Sequence, residues 1–191
     1  MKDALAILAA LFAVAGNTPY LVEVVRGHVQ PHMYTWLVGA IVSGTVCFGM
    51  LSKGAGIGAL PIAASEVFTI LIFLFSLKYG FKSITKSDKM FLLIALAGIV
   101  PWLFTEDPTL SVIIAVGVDV ASQAPTFRKT WTHPKTEHPI LYGSNVLRHI
   151  LVLFSLQTYN IATTLHSIVM LGTNTAMTFL ILLRQNKETK A

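Results

Sequence analysis

The sequence is poor in charged residues and in cysteine. Asp, Glu, Lys and Arg make up 12% of the 191 residues, whereas soluble domains carry about 25%. Cys47 is the single cysteine, which excludes a disulfide framework and a metal site of several thiolates. The chain is instead 54% hydrophobic, with a mean hydropathy of +0.68. This balance is typical of an integral membrane protein, in which a formal charge of +5 indicates basic loops rather than binding to nucleic acid.

Seven segments are apolar and long enough to be membrane helices, which need about 20 residues each. Short gaps with turn residues separate them, so no segment is left for a soluble domain. The predicted helices cover residues 4–25, 33–51, 57–78, 89–104, 110–129, 139–156 and 161–183. The first apolar run also has features of a cleaved signal peptide, but its apolar character continues past that region, which favours a helix.

Lys and Arg are concentrated in alternate loops. If the N-terminus is outside, most of the 14 Lys and Arg residues fall on the cytoplasmic side, as the positive-inside rule requires. The sequence therefore predicts a multi-pass protein of the plasma or inner membrane, with an outer N-terminus and a cytoplasmic C-terminus.

The sequence contains an internal repeat at an offset of 106 residues. The stretch AGNTP that begins at Ala15 matches ASQAP that begins at Ala121, and Lys78 matches Arg184 at the far end of each copy. Each copy then holds three helices, and the fourth helix is a spacer that lets both copies share one orientation, as in some transporters. We expect an all-α membrane protein of seven transmembrane helices. Its first repeat covers residues 1–80, the linker with helix four covers 81–106, and the second repeat with a short cytoplasmic tail covers 107–191.

Pro19 and Pro125 occupy equivalent positions within helices one and five. A proline removes one backbone hydrogen bond and bends the helix. Pro19 and Pro125 are therefore candidate hinge residues, and a static bend packed against a neighbouring helix is an equally weighted alternative.

Seven helices in the order three, one, three, with a proline near the cytoplasmic ends of helices one and five, resemble the PQ-loop superfamily. This superfamily includes the SWEET sugar transporters and the cystinosin-like lysosomal amino-acid exporters. The closest stretch is APTFRKTWTHPKTEH at residues 124–138, while Tyr20 and Thr126 stand where the family has a glutamine after its proline. The resemblance implies a transporter that works by alternating access.

Three charged residues, Glu66, Asp119 and Arg148, are predicted near the middle of apolar helices. A lone charge at that depth costs at least about 2.5–3.5 kcal/mol, so the three are expected to meet one another or water. We expect Asp119 to pair with Arg148, because helices five and six are consecutive. The candidate proton-coupling residues are Glu66, Asp119 and His149. The alternative is a static Asp119–Arg148 tether with a permanently neutral Glu66.

Other polar side chains recur on one face of several predicted helices, which indicates an aqueous cavity. The candidate substrate-binding residues are Asn17, Gln123, Tyr142, Asn145, Arg148 and Asn174. Their amide groups offer hydrogen bonds, and an arginine can hold a carboxylate. An amino acid or another acidic or zwitterionic solute fits this set better than a plain sugar.

The predicted function is that of a membrane transporter or facilitator for a small polar solute, with proton coupling as a further element. The alternative is a membrane receptor or accessory protein of the same fold that binds a ligand without moving it. We do not expect an enzyme, because the sequence has no evident nucleophile–base pair and no HExxH-type metal motif. No cofactor or metal is expected. The expected partners are the solute and the bilayer, and the sequence is compatible with a homo-oligomer.

Overall fold

The computed structural model describes residues 1–104 and 107–190, and this part of the chain is all-helical. The helices are α1 (Lys2–Val25), α2 (Met33–Ser52), α3 (Leu60–Tyr79), α4 (Lys86–Leu103), α5 (Pro108–Thr132), α6 (Pro139–Ser155) and α7 (Ile161–Lys190). Single 3₁₀ turns at Gly56–Ala59 and Pro134–Thr136 lie in two of the connections. The predicted all-α class is confirmed, and each helix overlaps one predicted segment.

Five helices in the described part of the chain are long and apolar enough to cross a membrane, namely α1, α2, α3, α5 and α7. The other two fall short for reasons visible in their sequences. The first turn of α4 carries Lys86, Asp88 and Lys89, and α6 has only 17 residues and contains Arg148 and His149. The five apolar helices indicate a multi-pass membrane protein.

Local sequence signals explain where several helices begin. Asp107 caps α5 by accepting a backbone N–H two residues on, and Pro108 fills the first helical position. His138 and Pro139 play the same two roles for α6. After α1, Gly27 adopts a φ of 77°, a left-handed conformation that glycine reaches without strain. These turns reverse the chain within a few residues and leave consecutive helices side by side or one helix apart.

Six of the helices form a ring. In one half of the ring α3 lies between α1 and α2, and in the other half α7 lies between α5 and α6. The halves meet where α1 packs on α6 and where α2 packs on α5, while α4 packs on α5. Glycine permits close approach at both junctions. A Cβ on Gly16 would lie 2.7 Å from Cβ of Ser144, and a Cβ on Gly49 would lie 2.8 Å from Cγ2 of Val112.

The distribution of polar and apolar side chains is the reverse of that in a soluble protein. Large apolar side chains such as Phe48, Val67 and Phe179 are exposed on the outside of the helices. Ionisable side chains such as Asp119 and Arg148 are buried. An apolar outer surface is what contact with the acyl chains of lipids requires.

The ring has two ends, which we name after one lysine at each. At the Lys2 end, the Lys2 ammonium donates a hydrogen bond to the Leu156 carbonyl at 2.6 Å. At the Lys129 end, the loop after α1 meets the segment before α6, where the Gln30 N–H donates to the Thr136 carbonyl. One apolar cluster packs toward each end. Buried members of the cluster nearer the Lys2 end include Val46, Met50, Val112 and Val152. Buried members of the cluster nearer the Lys129 end include Tyr20, Val24, Ile72 and Leu141.

Candidate functional site

A polar cavity of about 130 Å³ lies between the six helices of the ring. This is room for several water molecules or for one small solute. All six predicted substrate-binding residues line the cavity, together with two of the three predicted proton-coupling residues. These eight residues are Asn17, Asp119, Gln123, Tyr142, Asn145, Arg148, His149 and Asn174.

Positions related by the 106-residue offset line this one cavity. Five pairs of lining residues are separated by 106 positions, the same offset that relates AGNTP at Ala15 to ASQAP at Ala121. The pairs are Asn17 with Gln123, Thr35 with Leu141, Trp36 with Tyr142, Gly39 with Asn145, and Ser43 with His149. The cavity therefore uses equivalent positions of α1 and α5 and of α2 and α6.

The wall of the cavity is nevertheless chemically one-sided. Its charged and imidazole side chains are Asp119, Arg148, His149 and His166, which come from α5, α6 and α7. The lining side chains from α1, α2 and α3 are neutral, as illustrated by Asn17, Trp36, Ser43 and Thr69. The ionisable groups of the wall are therefore confined to α5, α6 and α7.

Arg148 is buried, with 6% of its surface exposed. Its Nε donates to Oδ1 of Asn145 at 3.1 Å, and Nη2 lies 2.9 Å from Nε2 of His149. In the described part of the chain, no carboxylate oxygen lies within 4.0 Å of this guanidinium. A guanidinium has five N–H donors in a fixed fork, so Arg148 retains donors for a ligand.

The prediction that Asp119 pairs with Arg148 is wrong. Oδ2 of Asp119 lies 3.6 Å from Nε2 of His166 on α7 instead. The reason is the position of α7 between α5 and α6, which separates two helices that are consecutive in the sequence. The imidazole rings of His149 and His166 have centroids 5.7 Å apart, so a row of polar groups runs from Arg148 to Asp119 across three helices.

Glu66 stands apart from Asp119 and Arg148, so the three charged residues predicted to meet one another or water do not meet one another. Its carboxylate accepts a hydrogen bond from the Ser43 hydroxyl of α2, and Glu66 does not belong to the cavity wall. Ser43 does line the cavity, so it connects Glu66 to the site indirectly. The proton-coupling role of Glu66 stays a prediction.

The two prolines lie inside α1 and α5 without ending either helix. Near Pro125, the Thr35 hydroxyl of α2 donates to the Ser122 carbonyl at 2.7 Å and accepts from the Thr126 hydroxyl at 2.9 Å. Thr35 of α2 therefore binds the proline turn of α5 across one junction of the ring. A hinge role for Pro19 and Pro125 stays a prediction.

A fully buried ion pair lies at the Lys129 end of the ring. The Lys129 ammonium is 2.5 Å from Oε1 of Glu137 and donates to the Gln30 carbonyl at 2.6 Å. The hydroxyls of Tyr20 and Tyr142 donate to the other oxygen of Glu137 at 2.9 and 3.1 Å. This Lys129–Glu137 pair therefore ties α1 to α5 and α6 next to the cavity.

A second ion pair lies at the same end. Arg128 donates to both carboxylate oxygens of Asp88, at 2.9 and 2.6 Å, and Nε2 of His32 lies 3.4 Å from Asp88. His32 is in the loop before α2 and is fully buried. Burial lowers the pKa of the His32 imidazole, and the nearby Lys129 and Arg128 lower it further, whereas Asp88 raises it.

His166 and the Lys129–Glu137 pair are absent from the predicted site residues. The signal for His166 was available, because it precedes Met170 by four residues and Asn174 by eight on one helical face. Glu137 carries no such signal, since it lies in an irregular connection. Its partners depend on how α1 docks against α5 and α6.

Comparison of the chain with models of known protein families, with curated proteins and with solved structures finds no match. Among residues 1–104 and 107–190, no three His, Cys, Asp or Glu side chains are grouped as a metal site would require. The function must therefore be argued from the cavity and the helices around it.

Proposed function

We propose that the protein is a membrane transporter or facilitator that moves a small polar solute by alternating access. The observation that carries this proposal is the polar cavity, which is lined at equivalent positions by both repeats. Transporters built from repeats bind their solutes at the repeat interface near the middle of the membrane. The solute would be held by the amides of Asn17, Gln123, Asn145 and Asn174, by Tyr142 and by Arg148.

The proposal includes a 3+1+3 architecture like that of the PQ-loop superfamily, with α4 as the linker. Two further observations support it. The first residues of α1 and α5, Lys2 and Pro108, are 106 positions apart, and so are Met33 and Pro139 at the starts of α2 and α6. The two junctions of the ring are also equivalent. If α1 corresponds to α5 and α2 to α6, the contact of α1 with α6 corresponds to the contact of α5 with α2.

Alternating access requires that the Lys129 end opens and closes. Pro19 lies next to Tyr20, whose hydroxyl binds Glu137, and Pro125 lies one turn before Lys129. A change of bend at these prolines would separate α1 from the Lys129–Glu137 pair. We propose that this contact breaks when the cavity opens at the Lys129 end.

The proposed orientation places the N-terminus and the Lys2 end outside and the Lys129 end and the C-terminus in the cytoplasm of a plasma or inner membrane. It is supported by basic residues in or beside the connections at the Lys129 end, which are Arg26, Lys82, Lys86, Arg128 and Lys135. Loops rich in Lys and Arg stay on the cytoplasmic side.

Proton coupling through Glu66, Asp119 and His149 is a further part of the proposal. Asp119 and His149 are joined through His166, so a row of ionisable side chains crosses the cavity wall. Glu66 would contribute through Ser43, which binds its carboxylate and lines the cavity.

The test is a flux measurement with purified protein in proteoliposomes, with labelled amino acids, hydroxy acids and sugars, in the presence and absence of a pH gradient. We expect flux of at least one probe in the wild type and about tenfold slower flux in Gln123→Leu, which removes a cavity amide. Gln157→Leu is the matched control, because Gln157 is exposed at the Lys2 end, bonds Asp3 and does not line the cavity. Binding of a probe without flux, with or without the gradient, would instead identify a receptor.

A further inference from the structure

We infer that the cavity binds its solute through a carboxylate group held by Arg148, and that the solute is a small monocarboxylate with a second polar group, such as an amino acid or a hydroxy acid. This inference rests on the proposed function, because it names the class of solute for the same cavity. Four observations carry it. The charge of Arg148 has no counter-charge, the nearby carboxylates are bound to other side chains, Nδ1 of His149 has no hydrogen-bond partner, and the ionisable residues of the cavity wall all lie on α5, α6 and α7.

Arg148 stays protonated under physiological conditions, so its buried charge calls for compensation. Its bonds within the protein go to an amide oxygen of Asn145 and to a ring nitrogen of His149, which are both uncharged acceptors. A buried charge without a partner is strongly unfavourable, and a carboxylate can take two parallel N–H bonds from one guanidinium. Because Arg148 lines the cavity, a solute can reach it.

The carboxylates of the ring are engaged elsewhere and do not supply this partner. Asp119 points to His166, Glu66 accepts from Ser43, and Glu137 is held by Lys129. A carboxylate on the solute would thus take up donors that no acidic side chain of the described ring occupies.

His149 has a second ring nitrogen without a hydrogen-bond partner beside Arg148. When its Nε2 accepts from Arg148, its Nδ1 carries the hydrogen. This Nδ1 is buried and has no hydrogen-bond partner in the described part of the chain. A buried donor without a partner is unusual, and it lies in the same cluster as the uncompensated guanidinium.

The remaining wall limits the charge and size of the solute. Asp119 lies on the same side of the cavity as Arg148, so a dianion such as phosphate would meet one repulsive carboxylate. The same carboxylate can accept a hydrogen bond from an ammonium or a hydroxyl group on the solute. The neutral wall formed by Trp36, Ser43 and Thr69 faces the uncharged remainder, and a cavity of about 130 Å³ suits a small solute.

The experiment measures binding to purified wild-type protein by calorimetry, so that it does not depend on transport. The probes are l-lactate against lactamide and l-alanine against l-alaninamide, with glucose as a third class. We expect at least one carboxylate to bind about tenfold or more tightly than its amide, because the amide offers Arg148 no charged bidentate acceptor. The lactate and alanine arms show whether Asp119 receives a hydroxyl or an ammonium group.

Arg148→Gln should remove the preference for acid over amide, and Arg148→Lys should retain part of it, because a lysine keeps the charge but not the fork. Arg184→Gln is the matched control, since Arg184 is half-buried and bonds the Trp131 carbonyl outside the cavity. If Arg148→Gln does not fold, the wild type and Arg148→Lys decide the question.

The inference is overturned if neither carboxylate binds, if acid and amide bind equally, or if Arg148→Gln keeps the preference for the acid. Flux of glucose in proteoliposomes under any of these outcomes would leave the proposed transport function standing with a different solute. Binding of a carboxylate by the wild type with no flux of any probe would support the inference and refute transport.

Discussion

The ammonium of Lys129 lies 2.5 Å from Oε1 of Glu137, and neither side chain has exposed surface. Both partners lie in the part of the chain that contains α5, α6 and α7, yet they also bond Gln30 and Tyr20 from the part that contains α1, α2 and α3. One charge pair therefore holds the two halves of the ring together at the Lys129 end.

We expect Glu137→Gln to be strongly destabilising, because it leaves the buried Lys129 without its counter-charge. Removing one partner of a buried pair costs about 3–5 kcal/mol. The measurement is the free energy of unfolding in detergent micelles. Glu23→Gln is the control, because Glu23 pairs with the exposed Arg26 and should have little effect. Equal stability of Glu137→Gln and the wild type would show that this pair does not hold the ring.

The contact between α1 and α6 yields a second prediction. A Cβ at position 16 would lie 2.7 Å from Cβ of Ser144, so Gly16→Ala should destabilise the protein by about 1–3 kcal/mol through overpacking. Ser144→Gly in the same chain should restore most of the loss by removing the opposing atoms. Gly117→Ala serves as control, because its added Cβ would have no close neighbour, and alanine favours a helix over glycine. The pair of variants is compared by thermal unfolding, and a lack of rescue would contradict the close packing of the two helices.

His32 predicts a dependence of stability on pH. Burial lowers the pKa of His32 in the folded protein, so the unfolded chain takes up a proton that the folded chain resists. The stability due to neutral His32 is therefore present above its ordinary pKa, about 6.5, and is lost as the pH falls below that value. Between about pH 7.5 and about pH 5.5, the melting temperature of His32→Gln should fall less than that of the wild type.

His28→Gln is the matched control for this measurement, because the His28 side chain is 68% exposed. It should follow the wild type across the same range of pH. If His32→Gln and the wild type lose the same stability on acidification, the buried His32 is not the group that responds.

Glu66 supplies a test of proton coupling that is separate from solute binding. Glu66→Gln keeps the shape of the side chain and can still bond Ser43, but it cannot release a proton. We expect this variant to lose the response of flux to a pH gradient while it retains exchange of solute across the membrane. Flux in proteoliposomes with and without the gradient is the measurement, and an unchanged response would remove Glu66 from the mechanism.

Much of this protein follows from the local sequence. Long apolar runs predict the helices, because a backbone in lipid must satisfy its own hydrogen bonds, and Asp107–Pro108 and His138–Pro139 mark helix starts by capping. The 106-residue offset and the periodic polar faces also led to the residues that line the cavity in the structure, since a helical face is a local property.

The choice of partners was decided only by tertiary structure. Asp119 meets His166 rather than Arg148 because α7 lies between α5 and α6, and no local signal orders helices around a ring. Glu66 turns to Ser43 of α2, and Glu137 meets Lys129 and Tyr20, for the same reason. Sequence alone determined which helix faces are apolar and which are polar, since each face is fixed by its own helix. The pairing of those side chains depends on how separate helices dock, which is a property of the whole ring.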